Sequence, residues 1–427
     1  MLRENQRRFK FDWITIILFL LLVGFGYLNI LSASHDGDIA NYFDTSQLYG
    51  KQLIFIGLTF VLIIIILSFE AKFYERFASI IYLGALLALL GLFIFGKEIN
   101  GARSWYGIGS MTLQPSEFAK FATALAVGKY ISDLQTNMQT LKDQLRVVAI
   151  IFVPALFILL QNDAGSTIVY LAFFFVLYRE GLQQIYLVMG LSLIVLAILG
   201  LKFGVLITAL LATSILIISF FLRKKKKRES IFQYILVLLV AVGFSYGVKL
   251  FYEHGLKAHQ QNRISLWLRL EKDPVKLERM KKAEAYNLIQ SEQAISSGGL
   301  VGKGFLQGTR TTGKFVPEQE TDYIFSTVGE EWGFLGSSIV VLLFVFLIIR
   351  ILYLAEAQKS QFSRVYGYGV ASILFVHFTI NIGMVMGLIP TVGIPLPFFS
   401  YGGSGLWGFT ILLFIFVKLD SNKINEW

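Results

Sequence analysis

The chain has 427 residues, 55% of them apolar and only 15% charged, with a mean hydropathy of +0.65. Soluble domains carry nearer a quarter charged residues, so this composition excludes an ordinary soluble enzyme and points to a membrane. The net charge of +10 is accounted for largely by the orientation rule for loops between spans, and no nucleic-acid partner is expected.

The basic start with Arg3, Arg7, Arg8 and Lys10 leads into a charge-free run from Trp13 to Leu31, followed by Ser32-Ala33-Ser34. That run exceeds the about 7 to 15 residues of a signal-peptide core, so it reads as a retained first helix. Gln52 to Phe69 and Phe77 to Gly96 are equally free of charge. A span needs roughly 17 to 25 apolar residues, and twelve centres are expected near residues 22, 60, 87, 123, 154, 172, 192, 213, 241, 342, 376 and 410. The fold class is thus an all-α polytopic membrane protein in one domain, 1–427.

Pro115 marks the start of the fourth span, and Glu117 and Lys120 lie three apart on one face of it. They form either a structural ion pair or a phosphate-holding cation oriented by its acid. Asp163 follows Gln161-Asn162 between two short apolar runs, 147–160 and 164–178. It either caps the next helix or sits at a broken-helix binding site. The basic run 223–228, between the spans near 213 and 241, reads as a topology signal. With cytoplasmic termini, Lys and Arg alternate sides without conflict, and the long polar segment 252–332 falls on the extracytoplasmic face.

In that segment Ala283 to Ile295 has amphipathic spacing and is stopped by Ser296-Ser297-Gly298-Gly299. Such a helix either docks on the bundle mouth or lies in the interface and gates a lipid substrate. The run Gly298-Gly299-Leu300-Val301-Gly302-Lys303-Gly304 resembles a phosphate loop, but it is one residue short and lacks the magnesium-binding hydroxyl. His377, within the eleventh span, is expected to be a hydrogen-bonded packing residue. The four histidines show no zinc spacing, and the absence of cysteine excludes thiolate sites. The densest acidic cluster is Pro317-Glu318-Gln319-Glu320-Thr321-Asp322, followed by Glu330 and Glu331. Asp322 is there either a general base or a helix-start residue.

Asn381-Ile382-Gly383-Met384, Gly387-Leu388-Ile389-Pro390-Thr391-Val392-Gly393-Ile394-Pro395-Leu396-Pro397 and Ser400-Tyr401-Gly402-Gly403-Ser404 resemble the C-terminal signature of the SEDS family (shape, elongation, division, sporulation). Gln114-Pro115-Ser116-Glu117, Ala102-Arg103-Ser104-Trp105, Gly302-Lys303-Gly304 and Thr321-Asp322 extend the resemblance over nearly the whole chain. The segments VGIPLP and GKGFLQGT resemble the elongation branch, and the KGLTLP-like segment of the division branch is absent.

This resemblance implies a core of about ten spans plus an inserted helix pair, 203–250. It implies a peptidoglycan glycosyltransferase of the cytoplasmic membrane, joining lipid II to an undecaprenyl-pyrophosphate-linked glycan. Asp322 matches the family's essential acid. Glu117 and Lys120 match its membrane pair, and Arg103 a basic position near the third span. The chemistry, an inversion at a sugar phosphate, needs one base and cationic stabilisation of the leaving group. Arg103, Lys120, Lys303, Arg310 or a magnesium ion (Mg2+) would supply the latter. Trp105, Asp163, Glu318 and Glu330 are expected in support. A class B penicillin-binding protein and other elongation-complex membrane proteins are the implied partners. A precursor flippase, a division polymerase and a scaffold are the competing readings. The sequence departs from the family at Asn162-Asp163-Ala164-Gly165-Ser166, where proline is lost but the acid kept, and in the highly charged stretch Lys257 to Lys282.

Overall fold

A computed structural model describes residues 10–35, 42–99, 101–109, 111–222 and 230–423. Arg3, Arg7, Arg8 and the basic run 223–228 lie outside these residues. In chain order the helices begin with α1 (Trp13–Ser34), α2 (Leu48–Ser68) and α3 (Ala71–Phe95). Three short strands follow, β1 (Lys97–Ile99), β2 (Ala102–Ile108) and β3 (Met111–Leu113). Then come α4 (Pro115–Ile131), α5 (Leu141–Leu160), α6 (Ala164–Val169), α7 (Phe173–Arg179), α8 (Gln184–Phe203), α9 (Val205–Leu222) and α10 (Ile231–Leu250). The chain continues through α11 (Ala258–Leu268), α12 (Pro274–Ala283), α13 (Tyr286–Ser297) and α14 (Thr309–Thr312). It finishes with α15 (Ile324–Glu356), α16 (Gln361–Val385) and α17 (Gly403–Asn422).

Among the described residues ten helices are long and apolar enough to cross a membrane, so the protein is multi-pass. The other two expected centres, near 123 and 172, fall on the shorter α4 and on the apolar stretch Ala164–Arg179. A turn of 3-10 helix at Tyr170–Ala172 divides that stretch into α6 and α7. Local chemistry sets the helix starts. Asp12 accepts from the Thr15 amide at 3.0 Å, Thr140 and Ser360 cap α5 and α16, and Pro115 occupies the first turn of α4, where a missing N–H costs nothing.

The residues group into two compact units. The first comprises Met1–Leu182, Gln290–Met386 and Thr391–Trp427. Its centre is α16 and α17, whose apolar windows are 72% and 83% buried. There α16 packs on α4 and α15, α17 packs on α2 and α4, and α1 packs on α15. The strands form an antiparallel sheet in the order β1-β2-β3, with Trp105 opposite Lys97 and Tyr106 opposite Leu113. This sheet is not foreseen in the sequence, because β1 and β3 have only three residues each and β2, Ala102–Ile108, does not alternate apolar and polar residues.

The second unit is Gln183–Ile289 with Gly387–Pro390. It contains α8, α9 and α10 packed pairwise, so the helices expected near 213 and 241 have α8 as a third neighbour. Trp267 donates to the Leu388 carbonyl at 3.1 Å, joining the short 387–390 segment to α11. The amphipathic helix expected from Ala283 begins instead at Tyr286, because the Ala285 amide still closes the end of α12 on the Met280 carbonyl at 3.2 Å.

Candidate active site

The loop 391–402 between α16 and α17 is the platform on which the acidic segment rests. Within it the Ser400 amide returns to the Leu396 carbonyl at 3.0 Å, and the Leu396 amide donates to Ser400 Oγ at 2.9 Å. The same Ser400 hydroxyl donates to the Thr321 carbonyl at 2.5 Å, and the Tyr401 amide donates to the Glu320 carbonyl at 2.8 Å. Asn381, fully buried on α16, divides its amide group between the Asp322 carbonyl at 2.9 Å and the Ile394 carbonyl at 2.7 Å. Two motifs about 70 residues apart in sequence are thereby stitched together through their backbones.

Asp322 is half-buried and precedes the N-cap residue of α15, Tyr323. Its amide donates to the Glu318 carbonyl at 3.1 Å, as do those of Thr321 and Tyr323 at 3.3 Å. Glu318 gathers this turn with a left-handed φ of +55°. Gly393 lies beneath the carboxylate: its φ is +78°, and a Cβ there would meet Asp322 Oδ2 at 3.1 Å. Only glycine holds that backbone shape without strain while giving the carboxylate room. Beside Asp322, Glu320 has its carboxyl pushed above the usual range by burial, reinforced by Glu318 and opposed by its own backbone hydrogen bond and Lys314. Burial and then the Glu320 charge raise the Tyr401 phenol.

Under the loop lies a buried polar chain. Lys120 Nζ donates to Glu117 Oε1 at 2.7 Å and reaches His377 Nε2 at 2.9 Å, with the Phe409 ring 4.6 Å from the ammonium. All three polar residues are buried, and His377 Nδ1 meets the Pro395 carbonyl at 3.2 Å. The pair expected on one face of α4 is therefore formed, and it connects through His377 to the loop that carries Gly393. Asp163 also borders this region. It caps α6, accepting from the Ser166 amide at 2.9 Å and the Ser166 hydroxyl at 2.8 Å, and it accepts from Gln114 Nε2 at 3.0 Å. A Cβ on Gly165 would be 2.9 Å from the Gly393 carbonyl, so α6 begins against the same loop.

The remaining expected residues are placed elsewhere in the first unit. Lys303 Nζ is 2.6 Å from Glu330 Oε1, which also accepts from the Arg310 amide at 3.0 Å. Glu330 Oε2 accepts from the Thr311 amide and hydroxyl, both at 2.8 Å, so this fully buried carboxylate organises α14. Arg310 donates to Gln290 Oε1 and stacks its guanidinium toward Phe315, 5.8 Å from the ring. The amides of Lys303 and Gly304 are taken by the Glu330 and Glu331 carbonyls at 3.0 Å and that of Gly302 by the Gly298 carbonyl at 2.9 Å, so the Gly302-Lys303-Gly304 end of the segment resembling a phosphate loop has its amides already paired. Arg103 lies on β2, exposed, with Nη1 on the Phe93 carbonyl at 3.2 Å. It borders an open cleft of about 380 Å³ with Glu98, Gln161 and Asn162. Trp105 shares its strand. Among the described residues no three His, Asp or Glu side chains are grouped to hold a metal ion.

The sequence gives His377 only a hydrogen-bonded packing role, and it is indeed buried and hydrogen-bonded through both ring nitrogens; Asn381 entered only as part of a motif. The signal was available: they are four residues apart, hence on one face of α16, and polar groups inside a span ask for a partner.

A family model described as "Cell cycle protein" (FtsW, RodA, SpoVE) matches residues 12–235 and 208–425. The peptidoglycan glycosyltransferase RodA of Treponema pallidum is 31% identical, covering 97% of this chain and 98% of its own length. The peptidoglycan glycosyltransferase MrdB of Escherichia coli (strain K12) is 32% identical over 82% of this chain and 80% of its own. Among solved structures, a chain from a peptidoglycan synthase complex coordinating polymerization and crosslinking superimposes with a TM-score of 0.70 at 23% identity, covering 97% and 99% of the two chains. The crystal structure of Thermus thermophilus rod shape determining protein RodA gives 0.63 at 22%, over 97% and 98%. A family model matching residues 12–235 and 208–425, with relatives above 30% identity covered over most of their length, places this protein in the FtsW/RodA/SpoVE family, the SEDS proteins.

Proposed function

We propose that this chain is a peptidoglycan glycosyltransferase that polymerises lipid II into glycan strands during cell-wall elongation, with Asp322 as its general base. The observation that carries the reading is the seat of Asp322: Oδ2 faces Gly393, which has no side chain, in a loop held by Asn381 and Ser400. Relatives named as peptidoglycan glycosyltransferases, matched over nearly their whole length, support the reaction class.

The acceptor hydroxyl loses its proton to the Asp322 carboxylate as its oxygen attacks the anomeric carbon. The bond from that carbon to the pyrophosphate breaks, and polyprenyl pyrophosphate leaves with the electron pair. One displacement inverts an α-linked sugar phosphate to a β-linkage, so a single base suffices. Charge building on the leaving group calls for cations. Arg103 is exposed beside an open cleft, whereas Lys120 is buried and acts as a fixed positive charge beneath the loop. Lys303 and Arg310 are held by Glu330 and Gln290, and a phosphate role for either would require exchanging that partner for substrate. A magnesium ion bound mainly by the substrate phosphates needs only one or two carboxylates, not a preformed cluster. The site faces the extracytoplasmic side with both termini cytoplasmic, and a class B penicillin-binding protein is the partner that cross-links the product.

The test is polymerisation of purified lipid II by the detergent-solubilised protein with its transpeptidase partner, comparing wild type with Asp322→Asn. Strands from wild type and at least a hundredfold fewer from a folded Asp322→Asn are expected. Equal yields from both would remove Asp322 as base, and lipid translocation without strands from either would favour a flippase.

A further inference from the structure

We propose that His377 and Asn381 are a pair of positioning residues that fix the loop 393–395 between the buried Lys120 and the carboxylate of Asp322. The inference rests on the glycosyltransferase reading for its consequence in catalysis, but its structural half stands apart from it.

The hydrogen-bond chemistry is determinate. A carbonyl only accepts, so the His377 nitrogen facing Pro395, Nδ1, carries the proton. An ammonium only donates, so the nitrogen facing Lys120, Nε2, is the bare acceptor. His377 is therefore a neutral imidazole held as the Nδ1–H tautomer, the less favoured form of a free histidine side chain. One turn further along α16, Asn381 donates to the next carbonyl of the loop, that of Ile394, and to that of Asp322 itself. One helix face thus reads two successive loop carbonyls and connects each to a group the reaction uses. Gly393, whose Cα supports the space under Asp322 Oδ2, immediately precedes them. Neither side chain reaches the reacting atoms in this arrangement. Both act through the loop.

Two readouts test this. In protein carrying 15N-histidine, four imidazoles are present, and the one assigned to position 377 by its loss in His377→Gln is expected as the Nδ1–H tautomer. It should change in Lys120→Met, where the donor to Nε2 is gone. An Nε2–H tautomer in the wild type, or indifference to Lys120→Met, would overturn the arrangement whether or not the protein makes glycan. In polymerisation, His377→Phe and Asn381→Leu are each expected to lower kcat at least tenfold with KM for lipid II within about threefold. His377→Gln, whose amide offers one donor and one acceptor, should restore kcat to within about threefold of wild type. The double variant His377→Phe with Asn381→Leu should lose less than the product of the single losses, because both act on one loop. Unchanged kcat in the single variants, failure of Gln to rescue, or fully multiplicative losses would overturn the positioning role. If the Phe variant does not fold, the Gln variant and the tautomer measurement still decide it. Wild-type protein that makes no strands would defeat the activity reading alone.

Discussion

Glu330 is a charged residue at 0% exposure, and its stability depends on being fully paired: Lys303, two backbone amides and the Thr311 hydroxyl surround it. Removing one side of a buried ion pair costs about 3 to 5 kcal/mol, and Lys303, at 26% exposure, places this pair at the low end. Glu330→Ala is therefore expected to lower stability by about 3 kcal/mol, read as a fall in thermal melting temperature in detergent, with activity lost in proportion to unfolding. Glu320 carries a pH prediction of the opposite kind. Its folded carboxyl holds a proton to higher pH than the unfolded one, so the folded state binds more protons above the ordinary carboxylate value of 4.5. Stability then falls as pH rises from about 4.5 through the raised value. Melting temperature measured across that window should decline in wild type and decline less in Glu320→Gln. An identical slope in the two proteins would remove Glu320 as the titrating group.

At the scale of elements, the loop 391–402 is held by its own turn and by cross-links that pair the Leu396, Ser400 and Tyr401 amides and the Ile394 and Pro395 carbonyls. Gly393→Ala tests this directly. The substitution forces a Cβ into a left-handed backbone position, at about 1 to 2 kcal/mol, and presses it to 3.1 Å from Asp322 Oδ2. A loss of kcat beyond tenfold with only a modest drop in melting temperature is expected. Wild-type kcat would mean that the seat of the carboxylate is not constrained there. The segment 298–304 shows the same logic without chemistry: Gly302 has φ +83°, and a Cβ would lie 2.1 Å from the Glu331 carbonyl. Its glycines allow close backbone packing against α15, and the amides of Gly298, Gly302 and Gly304 are already paired.

At the scale of the whole molecule, the chain contains no cysteine, so any introduced thiol is the only one. A single cysteine at Thr321 should react with a membrane-impermeant maleimide in intact cells or spheroplasts, whereas one at Lys359 should react only after permeabilisation. The reverse labelling would invert the proposed topology.

Membership of the membrane, the long helices and the pairing of Glu117 with Lys120 were determined by the sequence itself, because hydropathy, charge placement and i,i+3 spacing are local properties. Helix starts such as Pro115 and the cap at Asp163 were legible for the same reason. The motif resemblance singled out Asp322, but on residues alone it remained balanced against a helix-start role. The sheet at 97–113 escaped notice because two of its strands have three residues and the seven of β2 do not alternate apolar and polar. Only the tertiary structure decided which polar groups share a partner. It spent Lys303 on Glu330 and set Gly393 under Asp322, and it joined His377 to Lys120 across 257 residues of chain. A hydrogen bond between distant residues leaves no periodic trace in sequence, since its geometry exists only once the helices have packed.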